Sequence, residues 1–256
     1  MKIFASDYDG TLRIGQDVSE ENKRMIQKWR DAGNLFVIVT GRSMESILSE
    51  IERNTLSCDY IIGNNGGVIY DREGNLLQET VMDFERALKV LEYIKTVRCF
   101  SYVINDGFHR AKVVVDASRP DRKYGMIKAT KSVEEVLANR KIAQFVLSLD
   151  NMELAKQTAQ IINERYADTV CAYVNVDCID VVPNCISKAK GIQFLQEYVK
   201  AAKDEIFVIG DSYNDLPMIE AYHGFTLNHA EAIIQKQASD SFESVAAAIG
   251  SLLDKN

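Results

Sequence analysis

The first eighty residues alternate short apolar runs with stretches whose apolar positions recur at helical spacing. Residues 2–6 form a mostly apolar run that ends in an acidic, glycine-containing turn. Ser19-Glu20-Glu21-Asn22 then offers an N-cap with acidic residues in the first turn, where they suit the helix dipole. Met25, Ile26 and Trp29 share one helical face and read as core residues, and Gly33 supplies the stop. Residues 35–39, Leu-Phe-Val-Ile-Val, are apolar throughout, the pattern of a strand covered on both faces in a parallel sheet. The pattern predicts a second helix over 43–53, a third strand over 59–62, and a β-hairpin of strands 66–70 and 76–78 around Asp71-Arg72-Glu73-Gly74-Asn75. Strands alternating with helices across short loops predict a Rossmann-like, doubly wound α/β sheet.

The rhythm changes near residue 81. A helix over 84–95, strands near 100–104 and 111–115, and a polar stretch around 119–123 follow, then a strand near 143–149, a helix over 152–166, and strands over 170–174 and 178–182. That is enough for a separate α+β unit. After it the first rhythm returns: helix 188–200, strand 206–209, helix 214–222, strand 225–227, and helices near 231 and over 244–253. The expected organisation is an α/β core built from residues 1–80 and 186–256, interrupted by a module at 81–185.

Composition narrows the class. The 256 residues are 46% hydrophobic and 26% charged, ordinary for a globular chain. Thirty Lys and Arg against thirty-seven Asp and Glu give a net charge of −7, which disfavours nucleic acid as a partner but not a small phosphate ester, since that needs only a locally positive pocket. No run of about 18 apolar residues is present for a membrane span, and the N-terminus turns acidic before a signal peptide could form. The five cysteines are odd in number and lack Cys-x-x-Cys spacing, so reduced thiols and a cytoplasmic setting are expected.

The candidate chemistry sits where strands end. Asp7-Tyr8-Asp9-Gly10-Thr11 follows the first strand, and Gly210-Asp211-Ser212-Tyr213-Asn214-Asp215 follows the strand at 206–209. Carboxylates at such ends point into the crevice where open α/β sheets bind ligands, and hard oxygen donors suit magnesium. Taken singly, the first motif also reads as a turn, and Asp211 and Asp215 also read as turn and N-cap residues. Thr40-Gly41-Arg42 closes the strand at 35–39 and offers a hydroxyl, a backbone N–H and a guanidinium to phosphate oxygens; it equally reads as a helix N-cap with Ser43. Lys188 would balance the carboxylates, although a lone lysine is ordinarily a surface residue. His109, His223 and His229 show no metal-site spacing.

Together these motifs resemble the haloacid dehalogenase superfamily of phosphotransferases. Asp-x-Asp-Gly-Thr (Asp7–Thr11), Thr-Gly-Arg (Thr40–Arg42), the lysine of Ser-Lys (Lys188) and Gly-Asp-x-x-Asn-Asp (Gly210–Asp215) match in order across nearly the whole chain. The module between the second and third motifs lies where type C2 caps sit. Asn64-Asn65-Gly66-Gly67 followed by a hairpin is similar to the Cof-type sugar and metabolite phosphatases, with one departure: Ala189 stands where that family usually has glycine after the lysine. The resemblance implies Asp7 as nucleophile and Asp9 as general acid and then base, with Asp9 protonated when substrate is bound. It implies magnesium on the Asp7 carboxylate, the Asp9 carbonyl and Asp211, with Asn214 and Asp215 behind them. Thr40, Gly41 and Lys188 would bind the phosphoryl oxygens, Arg42 and Asn65 would reach the leaving group, and the basic Arg119, Arg122 and Lys123 would either read a second anionic group or form a solvated loop.

The implied activity is magnesium-dependent hydrolysis of a small soluble phosphate monoester through an aspartyl-phosphate. Two rivals stand beside it: a phosphomutase of the phosphomannomutase type, and a binding module on an inactive scaffold. The intact Asp7, Asp9, Lys188 and Asp211 speak against the second.

Overall fold

The computed structural model describes residues 1–118 and 129–254. In chain order the elements are β1 (Ile3–Asp7), a small hairpin of β2 (Arg13–Ile14) and β3 (Asp17–Val18), α1 (Glu20–Asp31), β4 (Leu35–Val39), α2 (Met44–Asn54), β5 (Tyr60–Gly63), β6 (Val68–Asp71) and β7 (Leu76–Glu79). There follow α3 (Phe84–Ile94), β8 (Ser101–Asn105), β9 (Arg110–Val114), α4 (Val133–Ala138), β10 (Gln144–Ser148), α5 (Met152–Arg165), β11 (Val170–Asn175) and β12 (Cys178–Pro183). The chain closes with α6 (Lys188–Val199), β13 (Ile206–Ile209), α7 (Leu216–Ala221), β14 (His223–Leu227), α8 (Ala232–Gln237), β15 (Asp240–Phe242) and α9 (Val245–Leu253).

Among the described residues one sheet has eight strands in the order β15-β14-β13-β1-β4-β5-β6-β7. The strands from β15 to β5 pair in parallel, and the β6–β7 hairpin adds an antiparallel edge. The α/β class expected from the alternating pattern is therefore the one observed. The uniformly apolar strand at 35–39 is explained by two cores. Phe36 and Ile38 enter a cluster with Ile26 and Trp29 of α1, Ile47 of α2 and Ile249 of α9. Val37 and Val39 enter the opposite cluster with Ile192 and Leu195 of α6 and Met218 of α7. Ser19 caps α1 by accepting the Asn22 N–H at 3.2 Å, as its sequence predicts.

The chain leaves β1 toward β4 on one side and later returns to β13 on the other. That reversal of strand order opens a crevice beyond the C-terminal ends of these three strands.

Between β7 and α6 the chain forms a second sheet, antiparallel, in the order β11-β12-β10-β8-β9. One face packs on α3, α4 and α5 through Phe145, Leu147, Ile179 and Val181. The alternate positions, among them Asn105, Gln144 and Asp180, lie on the other face. Asn64 of the parallel-sheet unit donates to the Gly107 carbonyl at 3.1 Å, and the Glu45 N–H donates to the Phe108 carbonyl at 3.1 Å, joining the two units at the β8–β9 turn. Not expected from the pattern were α4, β15 and the 2-residue strands β2 and β3 after Asp9. The helix expected over 214–222 is a 3-10 turn at Tyr213–Asp215 followed by α7, whose first turn contains Pro217. Arg119, Arg122 and Lys123 lie outside the described residues.

Candidate active site

Parallel register brings the strand-end motifs to one level. Asp7 pairs with Val39 across β1–β4, and Ser6 with Ile209 across β1–β13, so Asp7, Thr40 and Gly210-Asp211 emerge side by side. After Asp7 the chain turns back sharply: the Leu12 N–H donates to the Asp7 carbonyl at 3.3 Å, and the Arg13 N–H to the Tyr8 carbonyl at 2.8 Å. Gly10 sits at φ +89°, and a Cβ there would lie 2.6 Å from Asp211 Oδ2, so only glycine lets the two motifs meet this closely. Thr11 completes the contact by donating to Asp211 Oδ1 at 2.6 Å.

Lys188 reaches the same point from the first residue of α6. The helix is seated by Gly66, at φ +106°, where a Cβ would fall 2.2 Å from the Ser187 carbonyl oxygen. The ammonium is buried, with 1% of the residue exposed, and donates to Asp7 Oδ1 and to Asp215 Oδ1, each at 2.5 Å. The other Asp215 oxygen accepts the N–H groups of Asp211 at 3.0 Å and Ser212 at 2.9 Å. Asp215 thus occupies the cap position of α7 without capping it through its side chain; its carboxylate orients Lys188 and the Asp211 loop instead.

Thr40 accepts the Arg42 N–H on its hydroxyl oxygen at 3.1 Å, which leaves the O–H to donate elsewhere. The 64–67 turn is tied to this strand end: the Asn65 N–H donates to the Thr40 carbonyl at 2.9 Å, and the Asn64 N–H to that of Arg42 at 2.9 Å. Asn65 accepts a hydrogen bond from Asn214 Nδ2 at 3.1 Å. Asn65 Nδ2 and Asn214 Oδ1 are both buried with no hydrogen-bond partner among the described residues. Asn65 Nδ2 stands 3.1 Å from the point a Cβ on Gly41 would occupy, so it belongs to the same wall as Thr40 and Gly41.

Electrostatics follow from this crowding. Asp7, Asp211 and Asp215 offer carboxylate oxygens within 4.8 Å of one another against one ammonium. Burial pushes the Asp7 carboxyl well above its usual range, with the charges of Asp215 and Asp211 adding and Lys188 opposing. Burial and Asp215 raise Asp211 as well, against the hydrogen bond from Thr11. Burial alone would lower Lys188, but the charges of Asp215 and Asp7 override it and keep the ammonium charged. Three carboxylates facing one cation leave a deficit of positive charge, which a divalent ion would remove.

Asp9 and Arg42 face each other across the site. Arg42 donates through Nε to Asp9 Oδ2 at 2.6 Å and through Nη2 to Asp9 Oδ1 at 2.8 Å; its Nη1 reaches Ser46 at 3.0 Å and Glu50 at 3.4 Å. Arg13 pairs with the same Asp9 carboxylate. Burial would raise Asp9, but the Arg42 hydrogen bonds and charge, then those of Arg13, hold it far below the usual carboxylate range. In this arrangement Asp9 is a member of an ion pair, and the Arg42 guanidinium grips Asp9 and Glu50. Ser43, the alternative N-cap residue, stands at the start of α2 with no capping bond from its side chain.

The crevice is lined by Asp7, Asp9, Thr40, Gly41, Arg42, Ser212 and Asn214 from the parallel-sheet unit, and by Asn175 and Asp180 from the antiparallel one. Its free volume is about 20 Å³, room for about one water molecule. Asn175 and Asp180 were not singled out by their sequence context. Nor was His229, whose Nε2 lies 3.1 Å from the Gly10 carbonyl oxygen; a histidine two residues past a strand end was the available signal. His109 meets the Phe108 ring edge-on and lies 3.5 Å from Asp106, and His223 stacks on Phe207.

A family model described as haloacid dehalogenase-like hydrolase matches residues 4–248. The 5-amino-6-(5-phospho-D-ribitylamino)uracil phosphatase YwtE of Bacillus subtilis is 26% identical over 261 residues, covering 90% of this chain and 88% of that protein. A HAD/COF-like hydrolase from Plasmodium vivax superposes with a TM-score of 0.86 at 20% identity, over 100% of this chain and 96% of its own. A sugar phosphatase of haloacid dehalogenase subclass IIB superposes with a TM-score of 0.77 at 17% identity, over 100% and 99%. At these identities the superpositions speak to the fold.

Proposed function

The chain belongs to the haloacid dehalogenase-like hydrolase family, and from that premise we propose that it is a phosphatase acting on a small phosphate monoester, with Asp7 as the nucleophile. The observation that carries this reading is the convergence of Asp7, Asp211 and Lys188 with the donors of Thr40 and Asn65 around one small crevice. The named phosphatase that is 26% identical across most of the chain supports the reaction class.

In the first step an Asp7 oxygen would bond to phosphorus as the bond from phosphorus to the leaving oxygen breaks, and the leaving oxygen takes a proton. Water would then attack phosphorus, release phosphate and free Asp7. The Thr40 hydroxyl, the Gly41 N–H, the Asn65 amide and Lys188 would hold the phosphoryl oxygens, where positioning and charge stabilisation carry most of such a transfer. Asp9 is the group we assign to the proton. Held by Arg42 and Arg13 it is a weak base, so it would have to leave the Arg42 fork both to take up the proton it then gives the leaving oxygen and to accept one from the attacking water. The crevice is too small for a phosphate ester, so substrate entry requires the antiparallel unit, which we assign as a cap, to lift away from Gly41.

The donor set fits magnesium. Carboxylate oxygens of Asp7 and Asp211 are hard ligands, the cluster lacks positive charge, and Asp215 is occupied with Lys188 and the backbone and so stands behind them. When bound, the ion would offset the carboxylates and the phosphoryl charge. The test is phosphate release from a panel of sugar phosphates, nucleotides and cofactor phosphates, with magnesium present and absent. Magnesium-dependent release from at least one ester is expected; no release from any overturns the proposal.

A further inference from the structure

We propose that a cavity beside α2, walled by both units of the molecule, binds a small aromatic carboxylate and through it holds the antiparallel unit against the parallel-sheet unit. The site and its ligand stand apart from the phosphatase reading; only the expected effect on turnover rests on it.

The β6–β7 hairpin widens the sheet past β5, and the cavity lies between this extension and α2. Ile61 of β5 and Tyr70 of β6 are direct cross-strand partners, so they share one face of the extension. With Met44 and Leu48 of α2 they wall a space of about 280 Å³, to which the antiparallel unit contributes Phe108. Tyr70 meets Phe108 edge-on, with ring centroids 6.4 Å apart. Leu48 and Phe108 remain 39% and 36% exposed, two large apolar side chains left partly open to solvent at one cavity. The volume and the aromatic wall suit one or two rings.

Arg30 and Arg72 give the cavity its polar donors. Arg30 donates through Nε and Nη2 to the Asp59 carboxylate at 3.0 and 2.8 Å, which leaves Nη1 without a hydrogen bond among the described residues. Arg72 donates there only through Nε, to Glu73 at 2.6 Å. The neighbouring acids are already engaged: Asp59 Oδ2 also accepts the Phe36 N–H at 2.9 Å, and Asp71 accepts from Asn75 through both oxygens, each at 2.8 Å. Guanidinium donors therefore exceed free acceptors, and a carboxylate offers two acceptor oxygens in the geometry a guanidinium fork matches. A polyol phosphate would satisfy the donors but set its hydroxyls against Met44, Ile61 and Tyr70. Phe108 lies in the turn that joins the units: its carbonyl accepts the Glu45 N–H at 3.1 Å, and the Gly107 carbonyl accepts from Asn64 at 3.1 Å. A ring packed between Leu48 and Phe108 would add a contact across that seam and oppose the lifting that substrate entry requires.

The experiment titrates the purified full-length protein by calorimetry with 2-naphthoate and with its neutral counterpart, 2-naphthamide. The carboxylate should bind about tenfold more tightly, the scale of one charge-assisted hydrogen bond. Arg72→Gln should bring the two ligands level. Leu48→Asp should weaken naphthoate at least about tenfold, and Phe108→Ala should weaken both ligands about three- to tenfold; the latter carries the test if circular dichroism shows that Leu48→Asp does not fold. With naphthoate bound, deuterium exchange at the Glu45 amide should slow, and kcat for phosphate release should fall in the wild type but not in Leu48→Asp or Phe108→Ala. Binding of neither ligand, equal wild-type affinity for both, or affinities unchanged in Leu48→Asp and Phe108→Ala overturns the site. A dimeric wild type that sediments as a monomer after Leu48→Asp overturns it too, because a second copy would then fill this face. Unchanged exchange at Glu45, or unchanged kcat, overturns the bridging role alone. No phosphate release from any ester overturns the phosphatase reading, while calorimetry and exchange still decide the site and the bridge.

Discussion

Replacing Arg42 by alanine tests the ion pair that holds Asp9. Arg42 is 7% exposed, bonds both oxygens of Asp9, reaches Ser46 and Glu50, and lies 5.4 Å from the centroid of the Tyr8 ring. Its removal leaves Asp9 with Arg13, and Glu50 with Arg53 and Tyr8. Breaking a buried pair costs about 3–5 kcal/mol when the remaining charge is uncompensated, and the surviving partners place the loss near the lower end, about 3 kcal/mol. At about 2–4 °C per kcal/mol for a chain of this size, the melting temperature should fall by about 6–12 °C at pH 7. The pH dependence follows from direction. Asp9 is held below its ordinary value when folded, so its ionised form adds stability above the unfolded pKa of about 3.9 and loses it as pH falls toward the folded value. Glu50 has the same sign: burial opposes, but the Arg53 hydrogen bond and then the Arg42 charge lower it. Melting curves of wild type and Arg42→Ala at pH 7, 5 and 3 should show the same gap at the first two and a smaller gap at pH 3. Arg42→Lys should recover only part, because an ammonium keeps the charge but not the fork. A gap under about 2 °C at pH 7, or one that widens toward pH 3, would refute the ion-pair argument.

Asp7→Asn should lower phosphate release by at least about a hundredfold while leaving the melting temperature unchanged or raised, since it removes one carboxylate from a cluster short of positive charge; release at the wild-type rate would move the nucleophile elsewhere. A chelator should stop release and magnesium restore it, and magnesium should raise the wild-type melting temperature more than that of Asp211→Asn; equal shifts would remove Asp211 from the ligand set. Burial pushes the Cys58 thiol up to about 12 and that of Cys99 to about 11, whereas Cys185 is exposed, so native iodoacetamide labelling followed by peptide mass spectrometry should find Cys185 modified and the other two only after denaturation. Early labelling of Cys58 would mean that its side of the core opens readily.

The core strands and the motifs at their ends were legible because both depend on local rules. A strand buried on both faces must be apolar throughout, and Leu35–Val39 is, with Phe36 and Ile38 in one cluster and Val37 and Val39 in the other. A carboxylate placed just after such a strand has nowhere to go but the crevice, as with Asp7 and Asp211. The elements that were missed break these rules. The strand at Asp240–Phe242 carries only three residues and a polar start, too short for alternation to register. The helix at Val133–Ala138 is six residues long, and its one clear sign was the capping box in which Ser132 and Glu135 bond each other's backbones.

Side-chain direction was the harder problem, and it decides the chemistry. Nothing in Thr40-Gly41-Arg42 says whether a guanidinium turns outward to a leaving group or back to Asp9. The answer depends on Glu50, two helical turns away on α2, whose carboxylate faces Arg42 and Tyr8 and draws the guanidinium inward. Asp180 poses the same problem in reverse. Within Cys178–Pro183 it reads as a polar break in a core strand, and it becomes a candidate ligand-binding group only when the antiparallel sheet is laid over Gly41. Residues that act from their own strand end announce themselves in the chain, while those that act across the seam between two units depend on a packing arrangement that no local pattern records. Arg42, whose direction depends on Glu50, and Asp180, which reaches the crevice from the antiparallel sheet, both belong to the second kind.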